Sequence, residues 1–245
     1  MIINISPTIA ETAKSTAACI SQYIRENPGA LLCFAAGDTP LPIFHSLIEM
    51  QNKGEVDLSS VFYVGLDEWV GLGRETIGSC AQVMFEEFYE PAAIPSNKIC
   101  VWDGLCTDIG AERTRIESWI KKHGNISLAM LGIGMNGHIG FNEPYTDNTD
   151  STVFVPLDST TKAVSVKYFK DPTSVEYGVG ISIGGLKKAN KLLLIATGPN
   201  KAKIVKKVLK GERSMAVPAS MLTDHSDITL FADADAVEFD FDIED

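Results

Sequence analysis

The stretch Ile126-Ser-Leu-Ala-Met-Leu131-Gly-Ile-Gly-Met-Asn-Gly-His138-Ile-Gly-Phe-Asn-Glu143 sets the reading of the whole chain. Its first six residues are a nearly unbroken apolar run, the pattern of a buried strand. Four glycines follow, Gly132, Gly134, Gly137 and Gly140. A backbone without Cβ atoms can turn sharply and approach a ligand closely. Open α/β sheets bind ligands at the carboxyl ends of their parallel strands. His138 and Glu143 therefore stand where chemistry is expected. Imidazole titrates near neutrality, and a nearby carboxylate can fix its tautomer and raise its pKa. The pair predicts a proton-transfer site.

The same residues satisfy a dinucleotide fingerprint, Gly132-x-Gly134-x-x-Gly137, with Asp158 about 20 residues further on. That motif must open a helix whose N-terminus carries the pyrophosphate. Here Gly140 and Pro144 break any helix at once. The fingerprint fails its own context.

Outward from this segment, apolar runs alternate with amphipathic ones. Strands are predicted at residues 2–5, 30–36, 61–66, 98–101, 126–131, 153–157, 179–183, 191–197 and 228–232. Helical patterns fall at 10–26, 41–53, 80–89, 109–123, 201–209 and 218–222. The alternation predicts an α/β fold: a doubly wound, mostly parallel sheet with helices on both faces, Rossmann-like and three-layered. No repeat or linker divides the chain, so residues 1–235 read as one domain and 236–245 as an acidic, solubilising tail.

A chain of 245 residues with net charge −11 is long enough for a substantial core, and its charge argues against nucleic acid or an anionic membrane as partner. A small anionic substrate is compatible with a local basic pocket. Five scattered cysteines with no C-x-x-C pair predict neither a disulfide framework nor a zinc site, and fit a reducing cytoplasm. The first residues carry neither the basic nor the long apolar region of a signal peptide, and no apolar run reaches transmembrane length.

Two further strand ends are polar. After 30–36 come Gly37-Asp38-Thr39-Pro40, where Pro40 suits the first helical position and Asp38 or Thr39 the N-cap. The turn reads equally as a plain cap and as a phosphate cradle of free N–H groups. After 61–66 come Asp67 and Glu68, which strand alternation turns to opposite sides, one to a cleft and one to the scaffold. Lys162 and Lys167 flank a later amphipathic stretch, and Lys201 opens a helix, the wrong sign for its dipole unless it faces a bound anion. His45, His123 and His225 read as core or surface residues.

Ala36-Gly-Asp-Thr-Pro40, Leu66-Asp-Glu-Trp-Val-Gly71 and Gly132-Ile-Gly-Met-Asn-Gly-His-Ile-Gly-Phe-Asn-Glu-Pro144 together resemble the glucosamine-6-phosphate deaminase (isomerase) family, in order from about residue 10 to 232. Leu-Asp-Glu-Trp followed by Gly78-Ser-Cys80 is further similar to its galactosamine-6-phosphate branch. The resemblance implies an enzyme of amino sugar metabolism acting on a 2-amino-2-deoxyhexose 6-phosphate, releasing a ketose 6-phosphate and ammonia. It implies that His138, held by Glu143, opens the pyranose ring, with Asn136 beside it. Asp67 would move the proton from C2 to C1, and Gly37, Asp38, Thr39, Lys167 and Lys201 would receive the phosphate. It implies no metal and no organic cofactor, and it is compatible with self-association.

Departures from the family pattern matter. Asp38 puts a carboxylate beside the expected cradle, Ala36 replaces a usual threonine, and Asn136 stands where aspartate is common. An effector site for N-acetylated sugar phosphates, present in some hexameric relatives, would need basic residues where this chain has Val153 and Val155. Two other readings compete. A 6-phosphogluconolactonase-like hydrolase would need no C2 base and usually lacks the Phe-Asn-Glu-Pro run, and a catalytically silent sugar-phosphate binder would not need Asp67, His138 and Glu143.

Overall fold

The computed structural model describes residues 1–147, 149–210 and 212–237. The last eight residues of the expected acidic tail lie outside the described residues. Ten strands alternate with helices: β1 Ile2–Ser6, α1 Ile9–Glu26, β2 Leu31–Phe34, α2 Leu41–Asn52, β3 Phe62–Gly65, β4 Asp67–Trp69, α3 Cys80–Met84, β5 Ile99–Cys100, α4 Ile109–Lys122, β6 Leu128–Gly132, β7 Thr152–Pro156, α5 Ser159–Ser165, β8 Tyr177–Ile181, α6 Ile183–Leu186, β9 Lys191–Ala196, α7 Ala202–Lys210, β10 Ile228–Asp233 and α8 Ala234–Val237. Each of the nine predicted strands forms.

Seven strands make one wholly parallel sheet in the order β1-β10-β9-β6-β2-β3-β5. Its central strands read as continuous apolar runs because both faces are covered. Leu32 and Phe34 pack toward α1 and α2, through Ile20, Ile24, Phe44 and Leu47. Leu31 and Cys33 pack toward α4 and α7, through Ile116, Val205 and Val208. From β2 the chain winds outward in both directions, and a cleft forms at such a reversal.

Two predicted strands leave that sheet. β7 and β8 pair antiparallel with each other, and β4 pairs antiparallel with β8, giving a separate three-stranded sheet. The reason is visible in β7, where Val153 and Val155 are buried while Phe154 between them is exposed. One-sided alternation belongs to an antiparallel sheet with one solvated face. The buried face joins Trp69 and Phe141, whose rings lie 4.5 Å apart.

Local corrections concern helix starts. α2 begins at Leu41 with Pro40 at the boundary, and neither Asp38 nor Thr39 caps it. Lys201 belongs to a 3-10 turn, Pro199–Lys201, just ahead of α7, and 218–222 is a 3-10 helix, Pro218–Leu222. Among the described residues no helix is long and apolar enough to cross a membrane.

Candidate active site

The strands β9, β6, β2 and β3 are consecutive neighbours, and their carboxyl ends lie level: Phe34 pairs with both Gly65 and Met130, and Gly132 with Ile195. The polar turns after them therefore meet around one open cleft. Gly37, Asp38, Thr39, Asp67, His138 and Lys201 all line it.

Asp67 and Glu68 point opposite ways. Glu68 is buried in the scaffold, accepting from the N–H groups of Trp69 at 2.8 Å, Cys80 at 2.9 Å and Ala81 at 2.7 Å. It holds the first turn of α3, whose N-cap is Ser79. Asp67 faces the cleft. Burial, with the charge of Glu68 second, pushes its carboxyl up to about 7, against a hydrogen bond from the Cys80 thiol. Burial raises Glu68 too, with its three N–H donors opposing. A carboxylate that gains and loses its proton near neutrality can act as base and then as acid.

The glycine loop brings His138 to the opposite wall. A Cβ at Gly134 would lie 2.3 Å from His138 Nε2, so the imidazole rests directly on that backbone. Gly140, at φ +54°, lets the loop close to within 3.0 Å of Asp67 Oδ2, measured from where its Cβ would stand. Asn136 Oδ1 accepts from the His138 N–H at 3.1 Å, and its Nδ2 donates to Glu143 Oε2 at 3.2 Å and Asp158 Oδ1 at 3.3 Å. Glu143 is 2% exposed, and its Oε1 has no partner. Its Oε2 stands 3.7 Å from His138 Nδ1, which has the Thr161 hydroxyl at 3.1 Å.

The expectation that a carboxylate would raise His138 is overturned. Burial first, then the Lys201 ammonium, lower it to about 4, with Asp158 pulling the other way. The side chain keeps 22% of its surface open to the cleft, yet stays neutral throughout the physiological range. With asparagine at 136, the pull of Asp158 is too little to offset burial and the Lys201 charge.

At the rim, Lys167 Nζ donates to Asp38 Oδ2 at 2.6 Å, with side chains 51% and 64% exposed. Asp38 thus neither caps α2 nor lies idle; it occupies the lysine expected to receive the phosphate. Lys167 is not among the cleft-lining residues. Lys201 is, with Nζ donating to the Ile133 carbonyl at 2.6 Å, and burial followed by Lys167 lowers its pKa. His45, His123 and His225 lie elsewhere, against Glu87, Phe62 with Trp119, and backbone carbonyls. Sequence reasoning missed Thr161, Tyr168 and the cleft role of Cys80. Among the described residues no group of three His, Cys, Asp or Glu side chains is placed to hold a metal ion.

Comparison with known proteins identifies the lineage of this cleft. Residues 5–231 match the family model for glucosamine-6-phosphate isomerases/6-phosphogluconolactonase. The chain belongs to this family. It is 35% identical over 237 residues to a glucosamine-6-phosphate deaminase of Thermoanaerobacter sp. (strain X514), covering 96% of this chain and 94% of the relative. A solved structure of a monomeric glucosamine-6-phosphate deaminase superposes with a TM-score of 0.92 at 30% identity, covering 96% of this chain and 98% of the other. The 6-phosphogluconolactonase of Thermotoga maritima shares the fold, with a TM-score of 0.75 at 17% identity over 95% of this chain and 99% of that one.

Proposed function

We propose that the chain converts a 2-amino-2-deoxyhexose 6-phosphate and water into a ketohexose 6-phosphate and ammonia. The observation that carries this reading is the pairing, across one cleft, of a carboxyl poised near neutrality with an imidazole kept neutral. Relatives named as glucosamine-6-phosphate deaminases along nearly the whole chain support it. Neutral His138 takes the proton of the anomeric hydroxyl and returns it to the ring oxygen as the C1–O5 bond breaks. Asp67, ionised, then removes the proton from C2 while O1 gains one from solvent, giving an enolamine. Asp67 returns its proton to C1, leaving an iminium at C2. Water adds there, a proton goes back to solvent, and the C–N bond breaks to free ammonia. One carboxylate serves both carbons because they lie side by side on one face of the substrate.

The phosphate end belongs at Gly37–Thr39 beside Lys201, with Lys167 joining once it leaves Asp38. The substrate in this reading is the gluco or the galacto epimer, and five unpaired cysteines favour a reducing, cytoplasmic setting. The test is to incubate the protein with both amino-hexose 6-phosphates and with 6-phosphogluconolactone, following ammonium and acid. Ammonium from at least one aminosugar is expected. Acid from the lactone alone would make the protein a hydrolase, and no turnover of any would leave it a binder.

Regulation by N-acetylated sugar phosphates is not expected. Val153 and Val155, at the positions where activated relatives place basic residues, face the apolar cluster and offer a phosphate no charge. An effector acts only through differential affinity. Saturation should be hyperbolic with and without such compounds; a Hill coefficient above one that falls on their addition would count against this.

A further inference from the structure

Glu143 does not hold His138 directly. The 3.7 Å from Nδ1 to Oε2 exceeds hydrogen-bond length, which for N–H···O ends near about 3.2 Å. The group within reach of Nδ1 is the hydroxyl of Thr161, 3.1 Å away, on the buried side of α5. The same hydroxyl reaches the Glu143 carboxylate and works against the upward push of burial there. A threonine hydroxyl has a single proton to donate. An ionised Glu143 can only accept, so the proton of Thr161 then points to it and toward His138 the hydroxyl is the acceptor. Nδ1 then carries the imidazole N–H. Nε2, the nitrogen that rests on Gly134 at the cleft wall, is left with its lone pair.

A second set of bonds fixes α5 in the register this requires. Asp158 caps the helix, accepting from the Thr160 N–H at 2.8 Å, and it also accepts from Asn136. Asn136 in turn binds Glu143 and the backbone of His138. One side-chain amide therefore ties the loop of His138, its carboxylate and the start of the helix bearing Thr161.

We propose that Thr161 is a positioning residue, relaying the hold of Glu143 to His138 and fixing the imidazole as the Nδ1–H tautomer with Nε2 free to accept a proton. The catalytic consequence rests on the ring-opening role given to His138 above; the tautomer itself does not. Histidine tautomers are assigned through partners rather than seen, so the test observes them. The full chain, labelled with ¹⁵N in histidine, is studied without substrate by NMR as wild type, Thr161→Val and Thr161→Ser. Wild type should show a protonated Nδ1 and an unprotonated Nε2 for His138. Valine keeps the shape and removes the hydroxyl, so the tautomers should mix and kcat on the closed pyranose should fall about tenfold, one lost hydrogen bond. Serine should restore both the tautomer and most of the turnover.

An unchanged tautomer in Thr161→Val overturns the proposal, whatever kcat does. So does an equal loss in Thr161→Ser, which would assign the effect to the methyl group's packing. Should the valine variant fail to fold, Glu143→Gln tests the same relay, because an amide can donate to the hydroxyl and release its orientation; an unmoved tautomer there overturns it equally. If wild type releases no ammonium, the proposed reaction fails while the NMR comparison still decides Thr161.

Discussion

Asp67 and Asp38 line the same cleft on neighbouring strand ends, yet they are governed by different physics. Asp67 sits at the floor, where burial and the adjacent Glu68 push its carboxyl up to about 7. Asp38 sits at the rim, 64% exposed, in an ion pair with Lys167 that water can compete for. Desolvation makes the floor reactive and hard to rearrange; solvation makes the rim exchangeable. In the proposed reaction, chemistry falls to the first region and substrate capture to the second. Substitutions at the floor should therefore damage turnover, and those at the rim should move KM.

The largest expected effect is at the floor. Asp67→Asn removes the proposed base and should lower kcat by about 10²–10⁴, with substrate binding nearly intact. In wild type kcat/KM should rise with pH through about 7, as Asp67 ionises, while His138 stays neutral. The sign for stability runs the other way. A carboxyl whose folded pKa is raised contributes stability below its ordinary value and loses it as pH rises through about 7. Asp67→Asn should thus match wild type in Tm near pH 4 and exceed it above pH 7. Solvent deuterium still entering C1 or C2 in the variant at the wild-type rate would remove Asp67 as the base, and a Tm advantage at low pH would break the account of its pKa.

Next comes the wall facing it. Gly134→Ala places a methyl 2.3 Å from His138 Nε2, which the ring must leave. Misplacing a reacting group by about 1 Å can cost about 10²-fold. The loss should appear with the closed pyranose and shrink with an open-chain analogue, since the role proposed for His138 is confined to ring opening. Equal losses on both would mean that the loop positions more than the histidine.

How much of this was legible beforehand follows the same division between local and distant causes. β2, β6 and β9 were readable because burial on both faces leaves a continuous apolar run, and Asp67, His138 and Glu143 because they end such runs. β4 escaped because three residues are too short to show a period. α5 escaped because Ser159-Thr-Thr-Lys-Ala-Val-Ser165 is rich in β-branched and hydroxyl residues, which favour other conformations. With it went Thr161. The Asp38–Lys167 pair joins residues 129 apart in sequence, and only the folded chain brings them together. The lowered pKa of His138 likewise depends on burial first and then on Lys201, delivered from another strand end.

At the junction of floor and rim stands Lys201, half-buried and tied to the Ile133 carbonyl. A charged hydrogen bond to a substrate phosphate contributes about 1.5–3 kcal/mol. Lys201→Ala should therefore raise KM by about 10- to 100-fold, with a smaller change in kcat. Its removal also takes away a charge that depresses His138, so the imidazole pKa should rise, which NMR titration can follow. Equal losses on substrates with and without the 6-phosphate would show that Lys201 never meets it.

The smallest effect, and the sharpest check on the rim, is Asp38→Asn. In the proposed binding mode, the Asp38–Lys167 pair competes with the substrate phosphate for one ammonium group. Exposed pairs of this kind are worth about 0.2–1 kcal/mol, so neutralising Asp38 should lower KM by about 1.4- to 5-fold and leave kcat unchanged. Salt separates this from a packing effect. In wild type, added salt weakens both the internal pair and the phosphate contact, so the two partly cancel. In the variant only the phosphate contact remains, and KM should climb more steeply with ionic strength. A variant whose KM rises at low salt would mean that Asp38 assists binding, by orienting Lys167 toward the phosphate, and the contrast between a fixed floor and a competing rim would fall.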